Sequence, residues 1–184
     1  FIGHNAALFL KKRGHHPVII DSLGVNNMLS FTSSESSNRK LYTSILNQRM
    51  DLLHGESIEI NVEDARNYEA LCLHLHELEP DVIVHLAAVS HANLSNKNPH
   101  ATFDHSLRTL ENSLDFSKGG RSTVQQFIYF SSSMVYGNFN GQDVSEETNC
   151  KPMGIYGTLK YSGELIVKAY HETFGLPYTI IRPS

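Results

Sequence analysis

Short apolar runs alternate with longer helical patterns along this chain, and that alternation constrains its fold more than any other feature. The run at 81–86 is almost continuously apolar, and the run at 17–21 is similar. Strands buried on both faces of a parallel sheet have this composition. The stretches between the runs carry apolar residues at helical spacing. The pattern therefore predicts an α/β fold, a doubly wound parallel sheet with helices on both faces.

The individual elements follow from the same patterns. We predict helices at 6–13, 40–53, 68–78, 99–116 and 155–174, and strands at 17–21, 57–61, 81–86, 125–131 and 178–182. Gly14 marks the end of the first helix, and the Ser- and Asn-rich segment 22–38 is predicted to be a long loop. No strand precedes the first helix, which leaves a β–α–β unit unfinished. We therefore expect these residues to be part of a longer protein.

The composition narrows the functional classes. A chain of 184 residues with 40% hydrophobic and 18% charged residues is the size of one globular domain. Its net charge of −4 offers no basic stripe for nucleic acid, and no apolar stretch is long enough to span a membrane. Two cysteines, Cys72 and Cys150, favour a cytoplasmic location. The 11 histidines are scattered without metal-ligand spacing, so we expect no metal site.

Tyr156 and Lys160 form a Tyr-x-x-x-Lys pair within the helix predicted at 155–174. Residues four apart share a helix face, so the phenol and the ammonium can point into one site. A nearby ammonium favours the phenolate, which can then act as a general base. The preceding strand runs into Ser131-Ser-Ser-Met-Val-Tyr-Gly137, which brings serine hydroxyls to the strand end. These groups suit removal of a proton from a sugar or alcohol hydroxyl while hydride leaves the carbon.

Other motifs occur in a consistent order around this pair. Phe1-Ile-Gly3 opens the first helix, Asp21 ends the strand at 17–21, and Leu86-Ala-Ala88 ends the strand at 81–86. Together with Ser131–Gly137 and Arg182-Pro183, they make the whole chain resemble the extended short-chain dehydrogenase/reductase family, in its NAD-dependent nucleotide-sugar epimerase/dehydratase branch. The resemblance implies one NAD-binding Rossmann domain over 1–184, incomplete at both ends. It would lack its first strand and its C-terminal substrate portion.

The resemblance also implies NAD as the cofactor. Gly3 would be the last glycine of a phosphate loop that lets the backbone approach the pyrophosphate at a helix N-terminus. Asp21 would hydrogen-bond the adenosine ribose and repel a 2′-phosphate, which favours NAD over NADP. Asp64 and Ala65 would contact the adenine. The complete set of implied cofactor contacts is Phe1, Ile2, Gly3, Asp21, Ser22, Asp64, Ala65, Leu86, Ala87, Ala88, Tyr156 and Lys160.

By the same resemblance, the catalytic residues are Ser132, Tyr156 and Lys160, with Ser133 as the near alternative to Ser132. The related 4,6-dehydratases carry Asp-Glu after the catalytic hydroxyl, whereas this chain has Ser133-Met134. Two further departures stand in the preceding helix: Ser106 replaces the usual Asn, and Thr109-Leu110 replaces Gly-Thr.

The implied activity is epimerisation of a nucleotide-activated sugar by transient oxidation at C4, with Tyr156 as the base. One alternative is an NAD(P)-dependent keto-sugar reductase, dehydrogenase or decarboxylase of the same family. A non-catalytic dinucleotide-sensing protein is the alternative from another class, because a fold alone does not specify a function. The resemblance further implies a nucleotide-sugar substrate and a homodimer formed through the helices near 99–116 and 155–174.

Overall fold

The computed structural model describes residues 1–24, 38–89, 92–118, 120, 122–139, 141 and 143–184. The described chain divides into two compact units, Phe1–Asp64 (unit 1) and Ala65–Ser184 (unit 2). The prediction of one domain over 1–184 stays a prediction. Most of the loop predicted at 22–38 lies outside the described residues.

In its described residues, unit 1 has two helices and a small parallel sheet. Its elements are α1 (Ile2–Lys12), β1 (Val18–Ile20), α2 (Arg39–Gly55) and β2 (Glu59–Asn61). β1 pairs with β2 in parallel, and Ala7, Leu53 and Ile58 form the buried core. α1 ends at Lys12, and Gly14 stops it as predicted, because Gly14 adopts a φ of +84°, which glycine tolerates without steric cost.

Unit 2 contains a three-stranded parallel sheet in the order β3-β4-β5. Its strands are β3 (Val82–His85), β4 (Gln126–Phe130) and β5 (Tyr178–Ile181). Its helices are α3 (Tyr68–Leu78), α4 (Ala92–Lys97), α5 (Pro99–Phe103), α6 (Thr109–Ser117) and α7 (Gly154–Phe174). One π-helical turn, Asp104–Arg108, joins α5 to α6, and a 3₁₀ turn, Ser133–Tyr136, follows β4.

The core of unit 2 lies on one face of β4. Phe127 and Tyr129 alternate along this strand and are both buried. Leu110 and Leu114 of α6 and Val167 of α7 pack against them. This packing fixes α7 across the strand that leads into the serine segment, so the core determines where Tyr156 and Lys160 lie.

The predicted helices and strands all occur, with differences at their ends, and α4 and the 3₁₀ turn are additions to them. α1 begins at Ile2 rather than at residue 6. The prediction missed the first turn because it carries no apolar pattern. In the structure, the Asn5 side chain donates a hydrogen bond of 2.9 Å to the carbonyl of Phe1 at the start of this turn. α4 was not predicted, since its six residues, Ala92–Lys97, are mostly polar. No helix within the described ranges has the length and apolarity needed to cross a bilayer.

Candidate active site

The serine segment, Ser131–Gly137, begins where β4 ends. Ser132 is extended and buried, and its Oγ accepts a hydrogen bond of 3.2 Å from the amide of Met134. The segment ends at Gly137, whose φ is +77° and where a Cβ would lie 2.1 Å from the carbonyl oxygen of Lys151. Only glycine fits such an approach. The backbone is therefore constrained on both sides of the 3₁₀ turn.

α7 packs closely against the serine segment. A Cβ on Gly157 would lie 2.8 Å from the carbonyl oxygen of Met134, so the helix backbone can come this near only at a glycine. Tyr156 immediately precedes this contact and is partly exposed. Within the described residues, no hydrogen bond involves its hydroxyl. The phenol is thus available to a ligand beside the serine segment.

Lys160 lies one turn further along α7 and is only 7% exposed. Its Nζ donates a 2.7 Å hydrogen bond to the carbonyl oxygen of Phe130, the last residue of β4, and lies 5.3 Å from the centre of the Tyr129 ring. Burial disfavours the ammonium and lowers the pKa of Lys160 to about 8. The amine therefore stays mostly charged near neutral pH and loses its proton just above it.

Ser132, Tyr156 and Lys160 thus stand around the carboxyl end of β4, all within unit 2. Open α/β sheets bind their ligands at the carboxyl ends of their strands. A hydroxyl, a phenol and an ammonium are the groups needed to orient a substrate alcohol and take its proton. The assignment of catalytic roles to these three residues stays a prediction.

The end of β3 contributes the small residues predicted to border the cofactor. Leu86, Ala87 and Ala88 follow the strand, and the Thr109 hydroxyl lies 3.0 Å from the carbonyl oxygen of Ala87. Asn112 donates to the carbonyl oxygens of Ala65 at 2.8 Å and of Arg66 at 3.0 Å. Two side chains of α6, those of Thr109 and Asn112, therefore hold the backbone at Ala87 and Ala65, which are both predicted to contact the cofactor.

His85 is the last residue of β3 and is buried against the same region. Its ring stacks on Phe127 and Tyr129, with centroid distances of 6.0 and 6.1 Å, and its Nε2 has no hydrogen-bond partner among the described residues. Burial, with a smaller contribution from the charge of Lys160, lowers the pKa of His85 to about 3. The imidazole is therefore neutral at physiological pH and adds no second charge beside Lys160.

The remaining predicted cofactor residues lie in unit 1. Phe1, Ile2 and Gly3 stand at the start of α1, and Phe1 is 85% exposed. Asp21 and Ser22 follow β1 and are both exposed. Asp64 is the last residue of this unit. The structure thus places these six residues in one unit, and Ala65, Leu86, Ala87, Ala88, Tyr156 and Lys160 in the other.

The chemistry of these residues fits NAD. The Asp21 carboxylate is exposed at a strand end and accepts a 2.8 Å hydrogen bond from the amide of Leu23, which orients it while leaving acceptor capacity for ribose hydroxyls. Ala87 and Ala88 have side chains small enough for a cofactor to pass close to the backbone. Lys160 offers an ammonium donor. Where the structure describes the chain, no three His, Cys, Asp or Glu side chains gather as metal ligands would.

The sequence reasoning missed several residues that organise this region. The most prominent is Glu164, which is fully buried and accepts hydrogen bonds from Ser131 at 2.5 Å and from Arg182 at 2.7 and 2.8 Å. These bonds raise the pKa of Arg182 further above its ordinary value. Glu164 follows Lys160 by four residues, and this helical spacing was the available signal.

Solved structures of other proteins share this fold. The chain matches UDP-glucose 4-epimerase from Brucella ovis in complex with NAD at a TM-score of 0.76 and 21% identity, covering 99% of this chain and 48% of that one. It matches UDP-glucuronic acid 4-epimerase from Bacillus cereus, in complex with UDP-glucuronic acid and NAD, at a TM-score of 0.72 and 26% identity, covering 98% and 52%. The predicted α/β fold, with parallel strands and helices on both sides, is confirmed.

Sequence relatives point the same way. Protein CapI of Staphylococcus aureus is 30% identical over 183 residues, which are 99% of this chain and 50% of CapI. The chain therefore spans about half the length of this relative. Residues 1–184 match the NAD dependent epimerase/dehydratase family, which confirms the predicted cofactor as that of the family. This chain belongs to the NAD-dependent epimerase/dehydratase family.

Proposed function

We propose that the protein containing this chain is an NAD-dependent 4-epimerase of a nucleotide-activated sugar. The observation that carries the proposal is the grouping of Ser132, Tyr156 and Lys160 at the carboxyl end of β4, with Lys160 buried and bonded to Phe130. The two solved structures described above are named as 4-epimerases of UDP-sugars, which supports this class of substrate.

Each residue has a distinct task in this proposal. The Ser132 hydroxyl orients the 4-hydroxyl of the sugar, and Tyr156 removes its proton as hydride leaves C4. Lys160 keeps a positive charge near the phenol and stabilises its anion. NAD, when bound, supplies the hydride acceptor. The keto sugar then flips so that the other face of C4 is presented. Hydride returns to that face, and Tyr156 gives the proton back to the oxygen.

The residues after Ser132 favour epimerisation over dehydration. Elimination of water needs an additional acid and base, which the 4,6-dehydratases resembled by this chain carry as Asp-Glu. Ser133 and Met134 occupy those positions, and neither side chain titrates as a carboxylate does. Met134 is partly exposed and Ser133 half-buried.

The test is a product assay on the full-length protein. UDP-glucose and UDP-glucuronic acid are incubated with it in turn, and the products are identified by NMR. We expect the 4-epimer of one of them, and we expect Tyr156→Phe to slow its formation by about 10²–10⁴-fold because the base is lost. Tyr161→Phe is the matched control, since Tyr161 is a neighbouring tyrosine outside the predicted site.

Other outcomes identify the alternatives. Net reduction or decarboxylation of the sugar, with stoichiometric change of the cofactor, would contradict epimerisation and indicate the reductase class. Cofactor binding without turnover of any nucleotide sugar, equal in wild type and Tyr156→Phe, would indicate a sensing protein.

We also infer that the protein forms a homodimer through α5, α6 and α7. Phe103, Met153 and Leu165 are exposed by 50% or more on or beside these helices. Phe103 and Ile155 line a groove of about 330 Å³ between α5 and α7. Exposed apolar surface of this kind marks association sites. Light scattering should give twice the protomer mass, and a protomer mass at high concentration would contradict the inference.

A further inference from the structure

Glu164 and Arg182 form a buried ion pair next to the proposed active site. Glu164 is 0% exposed, and the Arg182 side chain is 15% exposed. Arg182 Nε donates to Oε1 of Glu164 at 2.8 Å, and Nη2 donates to Oε2 at 2.7 Å. This bidentate geometry fixes both side chains in one orientation. The pair therefore joins α7 to the end of β5.

The same pair holds both ends of the serine segment. Ser131, which precedes Ser132, donates from Oγ to Oε1 of Glu164 at 2.5 Å. Tyr136, at the end of the 3₁₀ turn, accepts a 2.9 Å hydrogen bond from Nη1 of Arg182. Both Ser131 and Tyr136 are buried. Ser132 thus lies between two residues that are tied to one ion pair.

Stability alone is a weak reason for this arrangement. Removing two charges from water is costly, and buried ion pairs can often be replaced by apolar side chains without loss of stability. Apolar replacements would fill the volume, but they would not bond the hydroxyls of Ser131 and Tyr136. The backbone bonds of the segment, from Ser131 to Ile181 at 2.8 Å and from Ser133 to Pro183 at 2.9 Å, leave side-chain orientation less constrained.

The pair also connects the segment to the other two catalytic candidates. Glu164 follows Lys160 by four residues on α7, so the two side chains emerge from one face of the helix. Any shift of Glu164 would therefore move the helix face carrying Tyr156 and Lys160 relative to the serine segment. A displacement of about 1 Å in an active site can cost about 10²-fold in rate.

We propose that Glu164 and Arg182 are positioning residues that set the place of Ser132 relative to Tyr156 and Lys160. They act through Ser131 and Tyr136 and do not touch the substrate. This inference rests on the proposed function, because the distance that they set matters only if these three residues perform the chemistry.

The sharpest variants cut the two hydroxyl bonds and keep the ion pair. Ser131→Ala removes the bond to Glu164, and Tyr136→Phe removes the bond from Arg182. In the full-length protein we expect each to lower kcat about tenfold with KM nearly unchanged, since the substrate still binds but meets a displaced hydroxyl. Ser131→Thr keeps a hydroxyl and should recover most of the loss.

Two controls remove hydrogen-bonded hydroxyls elsewhere in unit 2, one from the buried Ser117 and one from the exposed Tyr68. Ser117→Ala deletes a buried hydroxyl that donates to the Ser113 carbonyl at 2.7 Å, and Tyr68→Phe deletes one that donates to Asp115 at 2.8 Å. Neither should change kcat. Loss of kcat in these controls equal to that in Ser131→Ala would overturn the inference, because it would show a general effect of destabilisation.

Hydrogen exchange gives a readout that does not need activity. Amide exchange over residues 131–137 should be faster in Ser131→Ala and Tyr136→Phe than in wild type, and unchanged in the controls. Wild-type exchange rates in both variants would overturn the inference. Absence of turnover in wild type would instead reject the proposed function, while the exchange rates would still show whether the two hydroxyls hold the segment.

Discussion

The two units of this chain prepare their predicted site residues in different ways. In unit 2, Ser132 and Lys160 are buried; Ser132 accepts a hydrogen bond from the amide of Met134, and Lys160 donates one to the carbonyl of Phe130 at the end of β4. In unit 1, Asp21 is exposed at a strand end and is oriented by the backbone amide of Leu23. The difference suits their proposed tasks. Groups that orient the reacting hydroxyl and stabilise the phenolate need fixed geometry, whereas a carboxylate that binds ribose needs acceptor capacity and access.

The largest expected effect tests how tightly unit 2 is packed. A Cβ on Gly163 would lie 2.2 Å from Oη and 2.6 Å from Cζ of Tyr129, which is itself 3% exposed. We expect Gly163→Ala to lower the free energy of unfolding by about 2–3 kcal/mol, as overpacking of a rigid core does. Gly55→Ala in unit 1 is the matched control, because its Cβ would meet nothing within 4 Å. Urea denaturation measures the free energy of unfolding of both variants. An equal loss in the two would contradict the tighter packing around Gly163 than around Gly55.

The next prediction concerns the cost of burying the Lys160 charge. Its pKa is about 8 in the folded state against an ordinary 10.5, so below about pH 8 the folded protein holds the ammonium at a cost. Wild-type stability should therefore rise as the pH increases from about 8 toward 10.5. Lys160→Met should stabilise the protein by about 2 kcal/mol near neutral pH, after allowance for the lost bond to Phe130, and the gain should disappear at alkaline pH.

A matched control for this prediction lies in unit 1. Lys12 is exposed on α1, so its charge stays hydrated, and Lys12→Met should change stability little at either pH. The stabilities of wild type, Lys160→Met and Lys12→Met are compared through their urea midpoints at neutral and alkaline pH. A Lys160→Met protein that is less stable than wild type at neutral pH would show that the buried ammonium stabilises the fold instead of costing it.

The smallest effect is expected from the exposed carboxylate of unit 1. Asp21→Asn should weaken NAD binding about tenfold, or about 1.4 kcal/mol, because the ribose hydroxyls lose a charged acceptor. It should also narrow the preference for NAD over NADP, since the repulsion of a 2′-phosphate is removed. Fluorescence titration of the full-length protein gives both affinities, with Asp51→Asn as an exposed control on α2. An unchanged NAD affinity would exclude Asp21 from the cofactor site.

The sequence predicted the fold well because its main signals are local. Apolar runs located the five strands that the structure describes, and helical spacing located α7 with Tyr156 and Lys160 on it. The proximity of Ser132 to α7 was expected only through the resemblance to a family. The structure supplies its physical cause in Gly157, where the helix backbone approaches Met134.

The buried polar contacts could not be predicted in the same way. Glutamate is usually exposed, so its four-residue spacing from Lys160 indicates a shared helix face but not that Glu164 is fully buried. Its partners, Ser131 and Arg182, directly follow β4 and β5, and pairing between distant segments depends on the packed structure. The role of Thr109 was likewise hidden, because its bond to Ala87 joins residues 22 positions apart in sequence.

The most direct test of the account is the fate of hydrogen at C4 of the sugar. The full-length protein is incubated with a UDP-sugar deuterated at C4, and the recovered 4-epimer is analysed by mass spectrometry and NMR. If hydride leaves C4 and returns to it while Tyr156 carries the proton, the epimer retains its deuterium, and Tyr156→Phe forms almost none. Deuterium replaced by solvent hydrogen in the epimer, or full activity in Tyr156→Phe, would contradict the proposal that these residues act by transient oxidation at C4.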